Sequence, residues 1–268
     1  MQHSTQAACG KVYLVGAGPG DPGLLTLKGK TLLEHADVVL YDALVSQPIL
    51  DMINSGAEKI HAGKRRGRHS MLQTDTTQLL IEKAQTHAVV VRLKGGDPFI
   101  FGRGGEEMED LIRAGVPVEV IPGITSGVAA PAYAGIPLTH RNYSSSVIFV
   151  TGHEAAGKYR PQVNWGAIAQ AAETIVVYMG VQNLPHILDQ MTLAGLPGDT
   201  PIALVRWGTR PDQQELIGTI ATILDQMKAA GFEAPAIAVI GTIVDLHGLL
   251  SAAKPTALSS APHPPSDL

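Results

Sequence analysis

The segment Gly95–Glu107 holds glycine, carboxylate, aromatic and basic residues in close succession. Its two leading glycines and Asp97 offer bare backbone beside one carboxylate, which would let a small ligand approach closely and bond to the main chain. Asp97 could hold a cationic or hydroxyl group, and Phe99-Ile100-Phe101 adds an apolar wall. Arg103 stands before Glu106-Glu107, which could instead simply favour a helix N-terminus electrostatically. The segment predicts a small-ligand binding site.

One dense basic segment stands out in a chain whose net charge is -4. The densest segment is Lys64–His69, and Arg103 and His140-Arg141 lie in other predicted loops. Arginine pairs with carboxylates through two hydrogen bonds, so these residues suit a substrate that bears several carboxylates. A solvated loop is the alternative for Lys64–His69. The negative net charge argues against general nucleic-acid binding.

Several other kinds of site are not expected from this sequence. The ten histidines show no paired metal-ligand spacing and Cys9 is the only cysteine, so we predict no metal and no internal disulfide. A serine hydrolase is weakly supported, because the chain has no Gly-x-Ser-x-Gly motif. We found no apolar run of about 20 residues and no secretory signal pattern, so we expect a cytoplasmic protein that does not contact the membrane.

Short runs rich in Val and Ile alternate with helical patterns, and most end at glycine or a polar residue. This alternation predicts mostly parallel sheets covered by helices, in two α/β domains. We expect a flexible N-terminus at 1–10, domains at 11–142 and 143–250, and a flexible tail at 251–268. The predicted strands are Val12–Val15, Val38–Tyr41, Val89–Leu93, Val118–Ile121, Val147–Val150, Thr174–Tyr178, Pro201–Val205 and Ala236–Ile240. Ligands of such sheets bind beyond the carboxyl ends of the strands.

The loop Gly16–Gly20 after the first strand suggests a dinucleotide site. Asp42 follows the second strand at about the sequence distance expected of the acid that binds the ribose. The third glycine of that fingerprint would fall at Asp21, whose charge would repel a pyrophosphate. Pro19 also removes a backbone N–H from the turn. A neutral or cationic ligand is therefore easier to place here than a diphosphate.

Several blocks of the chain together resemble the uroporphyrinogen-III C-methyltransferases of the tetrapyrrole methylase family, from about Lys11 to Leu250. The blocks are Val15–Thr26, Tyr41-Asp42, Gly63–Arg65, Arg92–Glu107, Val120–Ser126, Gly135–Arg141, Val150–His153 and Tyr178–Gly180. The resemblance implies two α/β domains with S-adenosylmethionine in the cleft between them, in a homodimer. It implies cofactor contacts at Pro19, Gly95, Gly96, Asp97, Ile100, Thr125, Ser126, Met179 and Gly208.

The resemblance also implies the reaction. Asp42 and Lys64 match the family's proposed proton-transfer residues, and Arg103, Glu106 and Arg141 match positions for substrate binding or catalysis. Two methyl transfers, at ring positions 2 and 7 of uroporphyrinogen III, would give precorrin-2 by way of precorrin-1 and release two S-adenosylhomocysteine. Asp42 or Glu106 could accept the proton. The base, the pathway served (sirohaem, cobalamin or haem d1), substrate inhibition and the dimer surface stay open.

Three alternatives to this reaction remain. A sibling enzyme that methylates a later precorrin would share the cofactor loops, although the blocks Arg103–Glu107 and Thr139–Arg141 favour uroporphyrinogen III. An NAD-linked oxidoreductase is disfavoured by Pro19 and Asp21. On a ligand sensor without catalysis, the sequence is silent.

Overall fold

The computed structural model describes residues 10–62, 73–152 and 163–255, which divide into two compact units, 10–125 and 126–255. Across these residues we found no helix that is both long and apolar enough to span a membrane. The flexible tail predicted from residue 251 starts with a short 3-10 helix at Ser251–Ala253. Gly10, predicted to be flexible, is buried and donates to the Ala84 carbonyl at 2.7 Å.

The described part of the first unit is a parallel sheet of five strands in the order β3-β2-β4-β1-β5. This agrees with the parallel sheet predicted for the first domain. The edge strand β3 was not predicted, because its residues are polar and half-exposed. The strands are β1 (Lys11–Gly16), β2 (Val38–Tyr41), β3 (Glu58–His61), β4 (Val89–Lys94) and β5 (Val118–Ile121).

Helices cover both faces of this first sheet. One core contains Leu33 and Ile49 from α1 and α2, and the opposite core contains Leu80 and Leu111 from α3 and α4. The connections from β1 to β2 and from β4 to β5 run in opposite directions along the sheet and over opposite faces, so the adjacent strands β1 and β4 form a topological switch point. A ligand crevice forms at such a point. The helices are α1 (Leu27–Glu34), α2 (Gln47–Leu50), α3 (Gln73–Ala84) and α4 (Gly104–Arg113).

The described part of the second unit forms a mixed sheet of five strands in the order β6-β7-β10-β8-β9. Only β6 and β7 pair in parallel here, and the other three pairings are antiparallel. Apolar runs do not reveal strand direction, so the sequence pattern missed this difference between the sheets. The half-buried strand β9 was not predicted either. The strands are β6 (Val147–Thr151), β7 (Thr174–Tyr178), β8 (Pro201–Arg206), β9 (Gln214–Thr219) and β10 (Ala236–Ile240).

The helices of the second unit explain why it starts earlier than predicted. Ala130 and Ala134, on or just after α5, pack with Val176 and Val239 of the second sheet. The division therefore falls between Thr125 and Ser126 rather than at the predicted boundary between residues 142 and 143. The helices are α5 (Ser126–Tyr133), α6 (Trp165–Ala171), α7 (Leu184–Leu193), α8 (Ile223–Ala230) and α9 (His247–Leu250).

Candidate active site

Three glycine-containing loops meet at the carboxyl ends of β1, β4 and β5. Gly18 and Gly96 exchange backbone hydrogen bonds of 3.1 and 2.8 Å, and both have positive φ, at 72° and 70°. A Cβ added to Gly16 would lie 2.6 Å from the Gly123 Cα, and one added to Gly123 would lie 2.3 Å from the Gly96 carbonyl oxygen. Side chains are therefore excluded, and bare backbone lines this part of the sheet edge.

Asp97 joins two of these loops through its carboxylate. One oxygen accepts from the backbone N–H groups of Phe99 and Ile100, at 2.8 and 3.1 Å. The other accepts from the N–H of Gly123, at 3.0 Å. The charge of Asp97 therefore holds the loop after β4 against the loop after β5, a role that the sequence did not suggest.

The loop between Asp97 and α4 is tightly wound. Phe101 and Arg103 adopt left-handed conformations, with φ of 52° and 58°, which residues other than glycine rarely do. A Cβ added to Gly102 or Gly104 would lie 2.7 or 2.5 Å from the carbonyl oxygen of Pro98. Such backbone strain concentrates at functional sites. The loop exposes three apolar side chains, those of Phe99, Ile100 and Phe101.

Arg103 and Glu106 form an exposed ion pair at the start of α4. The guanidinium donates to the Glu106 carboxylate at 3.2 and 2.7 Å. This hydrogen bonding, together with the charge of Glu106, raises the pKa of Arg103 despite some burial. Both side chains are about half exposed, so they can reach a ligand in solvent.

A cluster of four charged side chains lies beneath this edge of the sheet. Arg92 donates to Asp42 at 2.5 Å and to Glu107 at 3.2 Å, and Lys94 donates to the same Glu107 oxygen at 2.9 Å. Arg92, Lys94 and Glu107 are buried, whereas Asp42 is 29% exposed. Glu107 does not merely favour a helix N-terminus, because it pairs with two buried cations of β4.

Burial and neighbouring charges shift the two cations of this cluster in opposite directions. Desolvation favours the neutral form of Arg92, but attraction to Asp42 and Glu107 outweighs it and raises the pKa of the guanidinium. Desolvation and then repulsion from Arg92 lower the pKa of Lys94. The sequence contained a signal for the cluster, because charges at positions 92 and 94 interrupt one face of an apolar strand.

The first glycine loop differs from a dinucleotide turn in the role of its carboxylate. Asp21 is buried, and its side chain caps the short helix Pro22–Leu24 by accepting from the Gly23 N–H at 2.7 Å. Pro19 is half-buried and lies two residues before Asp21, next to Gly18 and its contact with Gly96. The residues of this loop thus shape the backbone near the glycine cluster.

In the second unit, predicted site residues follow β7 and β8, whose carboxyl ends share one edge because both pair antiparallel with β10. Met179 is exposed with φ of 53°. Gly208 packs so closely that an added Cβ would lie 2.3 Å from the Ala130 Cβ. Its neighbours Trp207 and Thr209 both have positive φ. This edge is therefore another region of strained backbone.

The predicted site residues thus form two groups, one in each unit, and Lys64 belongs to neither. Those at the edge of the first sheet are Pro19, Asp42, Gly95, Gly96, Asp97, Ile100, Arg103, Glu106 and Thr125. Those in the second unit are Ser126, the exposed Arg141, Met179 and Gly208. Lys64, with the basic segment Lys64–His69, lies outside the described residues.

Comparison with known proteins agrees with this fold. Residues 11–224 match the family of Tetrapyrrole (Corrin/Porphyrin) Methylases. The uroporphyrinogen-III C-methyltransferase of Synechocystis sp. is 72% identical over 88% of this chain and 90% of its own. The crystal structure of uroporphyrin-III C-methyltransferase from Thermus thermophilus with S-adenosylhomocysteine is 39% identical, with a TM-score of 0.75, covering 88% of this chain and 100% of that one.

A solved cobalt precorrin-4 methyltransferase is similar too, at 32% identity and a TM-score of 0.77, covering 88% of this chain and 96% of that one. The fold alone therefore does not separate members that act on different tetrapyrroles, whereas sequence identity favours the first group. With the family match spanning most of its length, the chain belongs to the tetrapyrrole (corrin/porphyrin) methylases.

Proposed function

We propose that this protein transfers methyl groups from S-adenosylmethionine to uroporphyrinogen III. The observation that carries the proposal is the 72% identity to the Synechocystis uroporphyrinogen-III C-methyltransferase over 90% of that protein. Two transfers, at ring positions 2 and 7, would pass through precorrin-1, give precorrin-2 and release two S-adenosylhomocysteine. The enzyme works as a cytoplasmic homodimer without a metal, and it acts on neither nucleic acid nor membrane.

The residues at the edge of the first sheet fit S-adenosylmethionine. The glycine loops bring backbone N–H and carbonyl groups to the sheet edge where ligands of parallel sheets bind, and Ile100 exposes apolar surface beside them. Pro19, Gly95, Gly96 and Thr125 would contact the cofactor at this edge. Ser126, Met179 and Gly208 are proposed as cofactor contacts from the resemblance alone. Asp97 acts by holding the loops together, because its oxygens already accept three backbone hydrogen bonds.

The cofactor supplies an electrophilic methyl group on a sulfonium, which an electron-rich pyrrole carbon attacks. The protein's part is to align the macrocycle and to remove the proton that the methylated ring loses. We assign proton removal to Asp42, because a buried cation holds its carboxylate, whereas Glu106 lies in an exposed ion pair. Glu106 instead orients Arg103, which binds acetate and propionate groups. Arg141 is proposed to bind the same kind of group from the resemblance alone. Lys64 is proposed as a proton-transfer residue from the resemblance alone.

One assay tests the proposed reaction. The purified protein is incubated anaerobically with uroporphyrinogen III and methyl-labelled S-adenosylmethionine, and the product is analysed by mass. We expect two labelled methyl groups per macrocycle and two S-adenosylhomocysteine released. Label on a later precorrin but not on uroporphyrinogen III would identify a sibling enzyme, and cofactor binding without transfer to either would refute the proposal.

A further inference from the structure

The carboxylate of Asp42 is held by a side chain for which the sequence suggested no role. Asp42 follows the end of β2, next to the central strand β4, and its Oδ1 accepts from Nη2 of Arg92 at 2.5 Å. The strands are in register, so that Leu40 lies beside Arg92 and Tyr41 beside Leu93. Arg92 therefore approaches Asp42 from within the sheet rather than from solvent.

Besides its bond to Asp42, Arg92 is fixed by two other groups. Its Nε donates to Glu107 at 3.2 Å, its Nη1 donates to the Leu93 carbonyl at 3.3 Å, and its side chain is 5% exposed. Glu107 is fully buried on α4 and also accepts from Lys94 at 2.9 Å. The position of the guanidinium is thus set by both β4 and α4, which leaves it little freedom.

The composition of this cluster argues against a purely stabilising role. Within the part of the chain that the structure describes, it holds two cations, Arg92 and Lys94, and two carboxylates, Asp42 and Glu107, of which only Asp42 is substantially exposed. Apolar residues of similar volume often stabilise a core as well as a buried ion pair does or better, because desolvating charges is costly. A balanced buried cluster that presents one carboxylate to solvent instead fixes the geometry of that carboxylate.

We infer that Arg92 is a positioning residue for the reaction, which holds the Asp42 carboxylate in place and is itself anchored by Glu107. This inference rests on the proposed function, in which Asp42 removes a proton from the macrocycle. Arginine suits the task because its planar guanidinium can bond two carboxylates at once, on different nitrogens. Lysine has a single nitrogen at its tip and cannot bridge Asp42 and Glu107 in the same geometry.

A double-mutant cycle between Arg92→Lys and Asp42→Asn tests the inference. We expect Arg92→Lys to lower kcat roughly 10- to 100-fold, since small displacements of catalytic groups have effects of this size. KM for uroporphyrinogen III and the affinity for S-adenosylhomocysteine should stay within about twofold of wild type. In the Asp42→Asn background the same change should lower kcat less than about threefold, because the group it positions is gone.

The control is Arg113→Lys, which alters an exposed arginine on α4 that pairs with Glu109. We expect wild-type kinetics from it. Single turnovers with labelled cofactor, followed over hours, keep slow variants measurable. If Arg92→Lys does not fold, Glu107→Met replaces it in the cycle, because that change removes the oxygen that accepts from the Arg92 Nε.

Each result bears on the inference in a distinct way. Equal losses of kcat in the wild-type and Asp42→Asn backgrounds would assign Arg92 a merely structural role and overturn the inference. Wild-type kcat in Arg92→Lys or in Asp42→Asn would overturn it as well. Failure of the proposed function looks different, because the wild-type protein would then transfer no methyl group to uroporphyrinogen III.

Discussion

Replacing Asp97 tests whether its charge holds two loops of the candidate site together. Its carboxylate accepts three backbone hydrogen bonds, two within its own loop and one from Gly123. Hydrogen bonds to a charged group contribute about 1.5 to 3 kcal/mol each. At the lower value the three bonds together contribute about 4.5 kcal/mol to the free energy of unfolding. Asp97→Ala should cost less than this, because backbone groups near this half-buried residue can rebond to water.

Asp97→Asn separates the two sets of bonds. Its remaining oxygen can serve Phe99 and Ile100, but its amide would then face the Gly123 N–H, and two donors cannot bond. We therefore expect a loss of about 1.5 kcal/mol for Asn, from the bond between the loops. If the bond between the loops also orders the cofactor site, each 1.4 kcal/mol lost there would weaken the affinity for S-adenosylhomocysteine about tenfold.

The assays are urea unfolding, hydrogen exchange at the Gly123 and Phe99 amides, and calorimetric binding of S-adenosylhomocysteine. Relative to the wild type, we expect Asp97→Asn to speed exchange at Gly123 more than at Phe99, and Asp97→Ala to speed exchange at both amides. Unchanged exchange and an unchanged unfolding midpoint in both variants would refute the role given to the carboxylate. Weakened cofactor binding without any change in exchange would show that Asp97 contacts the cofactor directly.

Three further changes test other parts of the structure. Gly127→Ala would place a Cβ 2.1 Å from the Tyr178 hydroxyl, which accepts the Gly127 N–H, so unfolding should become easier by about 1 to 3 kcal/mol. Arg141→Ala should raise KM for uroporphyrinogen III in steady-state assays and leave the affinity for S-adenosylhomocysteine unchanged. Hydrogen bonds from Lys11 and Lys28 lower the pKa of Glu119 to about 2. Glu119→Gln should therefore destabilise the protein above about pH 4.5, and unfolding measured at lower pH should show that deficit shrinking as the pH approaches 2.

The patterns predicted the eight most apolar strands well because buried strands need apolar side chains. They missed β3 and β9, whose residues are polar or half-buried. They also gave no strand direction. The seven-residue connection from Arg206 to Gln214 is too short for a parallel crossover, so β8 and β9 pair antiparallel. The early start of the second unit at Ser126 depends on which sheet the alanines of α5 pack against, and no local pattern encodes that choice.

The sequence by itself determined the family. It also determined the positions of the glycine loops, because close backbone approach excludes every residue with a Cβ. It also marked Asp42 and Asp97 as functional candidates. Only the tertiary structure decided what holds them. Asp97 bonds to Gly123, which is 26 residues away, and Asp42 pairs with Arg92, which is 50 residues away. Those pairings exist because parallel strands distant in sequence end side by side. Burial then strengthens the attraction between each carboxylate and its partner.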